Sequence, residues 1–226
     1  MVKEGLPFVL VCLINAAFFA VLYFLVIDSV IFLILSGFLL FLAAFMAYFF
    51  RDPRREIPTE AGIIVSAADG KVTRIDETDE GKLVSVFLSP VDVHINRAPI
   101  AGKIVKVEYV KGAKVPATRE DASLVNERNS LTIEGVEMTV VCTQIAGILA
   151  RRIVCWSKAG DNLELGEKFG LIKFGSRTDL LMPKEVEILV GIGDRVVGGE
   201  TIIARLRTSY ALPVSEMQVS AEQYAG

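Results

Sequence analysis

The single histidine of this sequence, His94, is the first candidate for acid–base chemistry. It lies in FLSPVDVHINRAP, where prolines bound the segment and would hold an imidazole in one orientation. Asp69, in SAADGKV, and Ser176, in GLIKFGSRTD, would complete a set of orienting acid, base and nucleophile. Such triads are defined by geometry and not by chain order, so the sequence allows one in the order Asp69, His94, Ser176.

Each of these residues also has a purely structural interpretation. Asp69-Gly70 and Gly175-Ser176 are typical turn sequences, because Gly adopts unusual backbone angles and Asp or Ser bonds to its own backbone. A lone histidine is more often a structural hydrogen-bonding residue than a catalyst. The choice between a catalytic and a structural role therefore depends on the sequence around these residues.

Two long apolar runs open the chain, at about 6–27 and 30–50. Each matches the roughly 20 residues that a helix needs to cross a bilayer, and only two residues separate them. The sequence therefore predicts a transmembrane helical hairpin whose backbone groups bond internally. A cleaved signal peptide is the alternative for the first run, but such segments have shorter apolar cores.

Basic residues flank the predicted hairpin at both ends: Lys3 before it, and Arg51, Arg54 and Arg55 after it. The positive-inside rule then predicts that both ends, and the domain that follows, lie on the cytoplasmic face of the cell membrane. We interpret 51–61 as a juxtamembrane linker whose arginines contact anionic head groups. With a formal net charge of −3, the chain lacks the basic field that nucleic-acid binding requires.

The remainder, 62–207, reads as a β-dominated (α+β) domain of short strands separated by Gly, Asp and Asn. The alternation at 103–110, KIVKVEYV, is typical of a half-buried antiparallel strand. Repeated strand, Gly-turn, strand segments suggest hairpins like those of barrel-sandwich lipoyl domains. Short helices are expected only at 119–129 and 144–151, and 208–226 is expected to be a C-terminal tail.

Six motifs in the predicted linker and domain occur together in one order: RDPRREIP, SAADGKV, FLSPVDVHINRAP, NERN, QIAGILARRIVCW and GEKFGLIKFGSRTDLLMP. In this order and at these distances, between about 51 and 205, the sequence resembles the short form of the phosphatidylserine decarboxylase proenzyme family. Six motifs in register are a far more specific signal than any one of them.

The resemblance implies that the chain cuts itself between Gly175 and Ser176. In that family the serine hydroxyl attacks the preceding carbonyl, the amide becomes an ester, and elimination and hydrolysis turn the serine into a pyruvoyl group. The pyruvoyl cofactor would thus come from Ser176. The products would be a β chain, 1–175, and an α chain, 176–226, from one precursor.

The resemblance also implies the activity and the roles of the site residues. Ser176, as the pyruvoyl group, would be the Schiff-base site for the amine of phosphatidylserine or archaetidylserine, which would lose carbon dioxide and become the ethanolamine lipid. His94 would transfer protons in both reactions, and Asp69 would fix its tautomer.

Arg97 marks a departure from the longer branch of the family, which has a second histidine at this position. We expect it to contact the lipid phosphate or the leaving carboxylate, with an ordinary surface ion pair as the alternative. NERN, at 126–129, orders a substrate loop or caps a turn, and the turn is favoured. No metal site is expected, the three cysteines are expected to be free thiols, and β edges and the hairpin offer surfaces for a homodimer.

Two other function classes stay open on the residues alone. A non-catalytic membrane adaptor could present a lipoyl-like β-domain to a protein partner, and it would leave the chain uncut. A serine hydrolase could use the same three residues on an external substrate, although the usual GxSxG elbow is missing.

Overall fold

The computed structural model of the chain describes residues 1–113, 115–119, 121–148, 152–173 and 175–207. The predicted C-terminal tail, 208–226, lies outside the described residues, as do the last residues of the expected helix at 144–151.

Two apolar helices form a hairpin at the N-terminus. After a 3-10 turn at Lys3–Gly5, α1 spans Leu6–Leu25 and α2 spans Val30–Phe49. The Ser36 hydroxyl of α2 donates a 2.9 Å hydrogen bond to the carbonyl of Ala16 in α1. Each helix is long and apolar enough to cross a membrane. The predicted helical hairpin is confirmed.

The described part of the chain after the hairpin consists mainly of short strands, with one short helix, α3. The elements are β1 Ile63–Val65, β2 Gly70–Glu77, β3 Lys82–Leu88, β4 Ile95–Arg97, β5 Gly102–Val110, α3 Ala122–Val125, β6 Arg128–Glu134, β7 Thr139–Ala146, β8 Arg152–Cys155, β9 Asn162–Leu163, β10 Lys168–Lys173, β11 Ser176–Met182, β12 Val186–Ile188, β13 Arg195–Val196 and β14 Ile202–Leu206. The β-dominated class predicted from the sequence is confirmed.

The strands form three antiparallel sheets. The largest is a curled sheet with the order β13-β2-β3-β11-β7-β6-β5-β9, and the two smaller sheets are β1-β14-β12 and β4-β10-β8. The large sheet contributes residues such as Leu131 and Leu180 to one apolar core, and the smaller sheets contribute Ile64 and Phe169 to the same core. The strand β11 lies in the middle of the large sheet, so both of its edges are paired.

One expected helix is wrong in part and the other is confirmed in part. Gln144–Ala146 form the end of β7, because their backbone groups pair with β11 on one side and with β6 on the other. This ladder outweighs the weak helix propensity of a segment that contains Gly147. At 119–129, α3 is a single short turn of helix before β6 begins.

A buried chain of amide side chains joins four strands near the start of β11. Asn129 donates to Gln144 at 3.0 Å, Gln144 donates to Asn96 at 2.9 Å, and Asn96 donates to Thr178 at 3.0 Å. All four residues are buried. Such a network fixes the relative position of the strands only while every member is paired.

Replacing Gln144 by Leu should therefore destabilise the folded protein. The change leaves the Asn96 oxygen and an Asn129 N–H buried without partners, which costs about 1–3 kcal/mol. Thermal unfolding of the full chain in detergent would show a lower Tm than wild type. Thr139→Ala, an exposed change on the same strand, is the control and should leave Tm unchanged. Equal Tm values for Gln144→Leu and wild type would contradict the role given to the network.

Candidate active site

Ser176 is the first residue of β11 and is fully buried. Its backbone lies between Leu88, the last residue of β3, and Ala146, the last residue of β7. The Ser176 hydroxyl oxygen has no hydrogen-bond partner among the residues that the structure describes. An unpaired buried polar group costs about 1–3 kcal/mol, so it calls for a chemical explanation.

Gly175, directly before this serine, has a left-handed backbone with φ of 59°. A side chain added at this position would meet nothing within 4 Å. The position therefore requires glycine for its backbone angle and not for lack of space, since L residues rarely adopt this conformation.

Gly147, which follows β7, lies against the Gly175 carbonyl. A Cβ atom at residue 147 would collide with the carbonyl oxygen of Gly175 and would lie 3.1 Å from its carbonyl carbon. It would also lie 3.3 Å from the Cβ of Ala117. The absence of a side chain at Gly147 thus leaves room for the carbonyl that precedes Ser176.

His94 is buried with one ring nitrogen bonded and the other unpaired. Nδ1 lies 3.0 Å from the carbonyl oxygen of Asp92. Because a carbonyl only accepts, Nδ1 carries the proton and Nε2 has the free lone pair. Nε2 is buried and has no partner within the described part of the chain. Burial lowers the pKa of His94 to about 4, although the Asp92 carbonyl and carboxylate oppose the shift.

The structure brings His94 and Ser176 to the same end of the large sheet. His94 follows the turn that leaves β3 at Leu88, the strand neighbour of Ser176. From the other side, Ile172 of β10 donates its N–H to the His94 carbonyl at 3.2 Å, and β10 leads into Gly175. No hydrogen bond joins the two side chains among the described residues, and each presents an unpaired buried atom.

Asp92 holds the turn that carries His94. Its carboxylate accepts hydrogen bonds from the Ser89 N–H at 2.8 Å, from the Ser89 hydroxyl at 2.6 Å and from the Arg195 guanidinium at 2.8 Å. Burial alone would raise the pKa of Asp92, but these bonds outweigh it and lower the pKa. Since Arg195 lies in β13, this ion pair links segments on either side of the Gly175-Ser176 bond.

Asp69 has partners other than the imidazole. One Arg55 nitrogen lies 2.9 and 2.7 Å from the two carboxylate oxygens of Asp69, and the Gly198 N–H donates to the same carboxylate at 2.8 Å. No hydrogen bond joins Asp69 to His94 among the described residues. The assignment of Asp69 as the orienting acid therefore stays a prediction.

Arg97 is largely buried and not at the surface, but an ion pair like that of the alternative is present. Its guanidinium donates to the Gly166 carbonyl at 2.9 Å and lies 3.6 Å from Asp52. Basic side chains outnumber acidic ones in the adjoining cleft of about 360 Å³. Its lining residues are Asp52, Pro53, Arg54, Arg55, Ile57, Arg97 and Lys168.

One interpretation of a sequence segment needs correction. Arg55 is turned into the domain against Asp69, so it is not a head-group contact like those expected of the linker arginines. Asn126, the first residue of NERN, caps the helical turn α3, because its N–H donates to the Ala122 carbonyl at 3.0 Å, and β6 begins at Arg128. The Asn126 amide donates to the carbonyls of Val115 and Ala146, and it thereby ties a loop to the strand beside Ser176.

Sequence reasoning missed several residues around the site, chiefly Asp92, Gly147 and Arg195. Asp92 has a local signal, since Ser-Pro-x-Asp is a sequence in which an Asp can bond back to a Ser N–H. Gly147 and Arg195 have no such local signal, because their contacts are with residues distant in the chain.

The three cysteines are free. Among the described residues, no group of His, Cys, Asp or Glu side chains is arranged to hold a metal ion.

Comparison with known proteins identifies the family. The family model of phosphatidylserine decarboxylase matches residues 42–204. The chain belongs to the phosphatidylserine decarboxylase family. This family of decarboxylases is the one that the six motifs indicated, so the resemblance seen in the sequence is confirmed.

Individual relatives in the phosphatidylserine decarboxylase family match most of the chain. The phosphatidylserine decarboxylase proenzyme of Symbiobacterium thermophilum is 48% identical over 174 residues, covering 73% of this chain and 80% of the relative. The proenzyme of Solibacter usitatus is 50% identical over 74% of this chain and 81% of its own length. That of Geotalea uraniireducens is 42% identical over 90% and 95%, respectively.

The protonation state of His94 can be measured directly, because the sequence has only one histidine. NMR titration of the imidazole in the untagged chain should give a pKa near 4, well below the ordinary 6.5. The folded protein should lose stability as the pH falls from about 6.5 towards 4, since the unfolded chain binds the proton first. A titration midpoint near 6.5 in the folded protein would show that the imidazole is not buried as described.

Proposed function

We propose that this protein is a self-processing, pyruvoyl-dependent decarboxylase of serine phospholipids. It converts phosphatidylserine or its archaeal analogue archaetidylserine to the ethanolamine lipid and carbon dioxide. The observation that carries the proposal is the pair of buried, unpaired atoms, His94 Nε2 and Ser176 Oγ, at one end of the sheet. Family membership and the naming of its relatives as proenzymes support it.

The first step of self-processing is an acyl shift from nitrogen to oxygen. A neutral serine hydroxyl is a weak nucleophile, so it needs a base. His94 Nε2 takes the proton of the Ser176 hydroxyl as Oγ attacks the carbonyl carbon of Gly175. The bond from that carbon to the Ser176 nitrogen breaks, the nitrogen takes the proton from the imidazolium, and an ester remains.

The second step opens the ester by elimination. The Ser176 Cα loses a proton, and the Cβ–Oγ bond breaks as the Gly175 carboxylate leaves with residues 1–175. The residue left at 176 is a dehydroalanine with a free amine, which takes up water and releases ammonia to become a ketone. We assign the removal of the Cα proton to His94 as well. His94 follows the turn after β3 and bonds to β10, and these two segments adjoin Ser176.

Two glycines make the acyl shift geometrically feasible. Gly175 holds a left-handed backbone directly before β11. Gly147 leaves space beside the Gly175 carbonyl, whose oxygen has to move as the carbon becomes tetrahedral. A side chain at either position would oppose the step, for different physical reasons.

The pyruvoyl ketone at residue 176 supplies an electron sink for decarboxylation of a substrate amine bonded to it. The fully buried Ser176 position, with its unpaired hydroxyl, fits such a group, because burial excludes water that would compete for the ketone. His94 then has a second task, which is to hold and return the proton that replaces the lost carboxylate. Its turn is fixed by the Asp92 bonds.

The lipid substrate fits the position of the site relative to the hairpin. We place the hairpin in the cell membrane with the domain on the cytoplasmic face, following the basic residues at its ends. An anchored enzyme meets its lipid substrate at high effective concentration. The basic cleft beside Arg97 suits the lipid phosphate, and its Arg side chains match phosphate geometry.

Intact mass analysis of the purified chain tests the proposal. The wild type should separate under denaturing conditions into residues 1–175 and 176–226, the second beginning with a pyruvoyl mass. Ser176→Ala should stay whole, because it lacks the hydroxyl that attacks Gly175. Ser157→Ala, outside β11, is the control and should process as the wild type does. A folded wild type that stays uncut would exclude self-processing and favour the adaptor function.

Replacing Gly147 by Ala should slow self-processing without removing any reacting group. The new Cβ takes space beside the Gly175 carbonyl, and a displacement of about 1 Å can slow a reaction by about 100-fold. Gly37→Ala is a matched control, because its Cβ meets nothing within 4 Å. Precursor and product bands after pulse labelling would measure both rates. Equal rates for Gly147→Ala and Gly37→Ala would refute the role assigned to Gly147.

A further inference from the structure

The end of the second membrane helix lies directly against the candidate base. The Phe49 ring, at the last residue of α2, is 4.4 Å from the His94 ring between centroids, with the two planes inclined by 36°. Phe49 is 1% exposed and His94 is 3% exposed. An aromatic ring in this position removes water from one side of the imidazole.

The contact belongs to a larger apolar cluster between the hairpin and the domain. We call it the hairpin-base cluster, and its buried members are Val2, Phe49, Phe50, Val93, Ile95 and Leu171. Two of them, Val93 and Ile95, are the chain neighbours of His94. The hairpin therefore packs on the segment that carries the imidazole, and not on a remote part of the domain.

Polar contacts hold the same junction from several sides. Arg51 donates to the carbonyl of Val91 at 2.7 Å, within the turn before His94. The Trp156 indole N–H donates to Glu4 at 2.7 Å, and Lys168 pairs with Asp52 at 2.7 Å. These contacts fix both ends of the hairpin on the domain, which a flexible tether would not require.

We propose that the membrane hairpin is part of the active site. Its Phe49 is a positioning residue that holds the His94 imidazole in place and shields it from water. This rests on the proposed function for the reaction that His94 serves. A consequence is that the reaction takes place beside the C-terminal end of α2, where the hairpin meets the domain. The head group can then react while its two acyl chains stay in the bilayer beside α2.

The burial of His94 gives this role a chemical purpose. An imidazole that is shielded from water stays neutral, so Nε2 keeps its lone pair for the Ser176 proton across the physiological pH range. The charged groups that act on the ring are Asp92, which favours its protonation, and Arg51, which disfavours it. Neither is altered by a change at Phe49, so such a change tests the effect of water access.

The experiment compares Phe49→Ala with Phe41→Ala in the full chain. Phe41 lies on the same helix and is 69% exposed, so its side chain does not pack on the domain. Its replacement by Ala removes the same side-chain volume as the replacement of Phe49. Each precursor would be made by cell-free synthesis into phospholipid nanodiscs and shifted to a series of pH values. Gel analysis over time gives the rate of self-processing at each pH.

Phe49→Ala should process at least about tenfold more slowly, because the imidazole loses the ring that fixes its position. The pH below which processing fails should rise towards about 6.5, since a hydrated imidazole titrates near its ordinary value. Phe41→Ala should match the wild type in both respects. Phe49→Leu, which keeps an apolar wall, should recover most of the rate and of the acid tolerance.

The inference is overturned if folded Phe49→Ala, judged by resistance to limited proteolysis, keeps the rate and the acid limit of the wild type. If Phe49→Ala does not fold, Phe49→Gln, which keeps side-chain bulk but brings a polar group beside the imidazole, is judged against Phe41→Ala instead, and equal rates and acid limits overturn it. An uncut wild type refutes the proposed function alone. In that case NMR titration of His94 decides, and a pKa that is unchanged from wild type in the folded variant, Phe49→Ala or Phe49→Gln, overturns the inference.

Discussion

The pairing of β11 with strands on both sides is the constraint on which the site depends. Because β3 and β7 flank this strand, Ser176 has no freedom to move towards solvent. The same pairing fixes the direction from which Gly175 enters, and Gly147 at the end of β7 leaves the space that its carbonyl needs. A central strand thus presents a peptide bond in a fixed and buried setting, which is the setting that a chain needs to react with itself.

Burial of the two reactive side chains has an energetic cost that the rest of the domain must offset. The hydroxyl of Ser176 and the Nε2 of His94 are each unpaired among the described residues, at about 1–3 kcal/mol apiece. A large continuous core and the paired amide chain around Gln144 supply the stability that tolerates this. Polar atoms left unpaired inside an otherwise well-bonded domain are a sign of function, because a purely structural site would have paired them.

One ion pair and one hydrogen bond connect the parts of the domain on either side of the Gly175-Ser176 bond. Asp92 pairs with Arg195, and Asp69, which also pairs with Arg55, accepts a hydrogen bond from the Gly198 N–H. With β11 held inside the sheet, these contacts would keep the site assembled after the cut that we propose. The hairpin packs through its last aromatic residues on the turn that carries the imidazole, within the segment before that bond. The hairpin, His94 and Ser176 are thereby held in one packed unit.

The sequence alone determined the two apolar helices, the β-dominated class, the family and the candidate residues His94 and Ser176, because these depend on local composition and on motif spacing. Only the tertiary structure decided which groups surround them. The imidazole bonds to the backbone carbonyl of Asp92, which the sequence reasoning had not singled out, and Gln144 extends a strand where a helix was expected. Phe49 contacts His94 from the far end of a membrane helix, a pairing that no local pattern encodes. Such contacts join residues distant in the chain, so they follow from the packing of whole strands and helices.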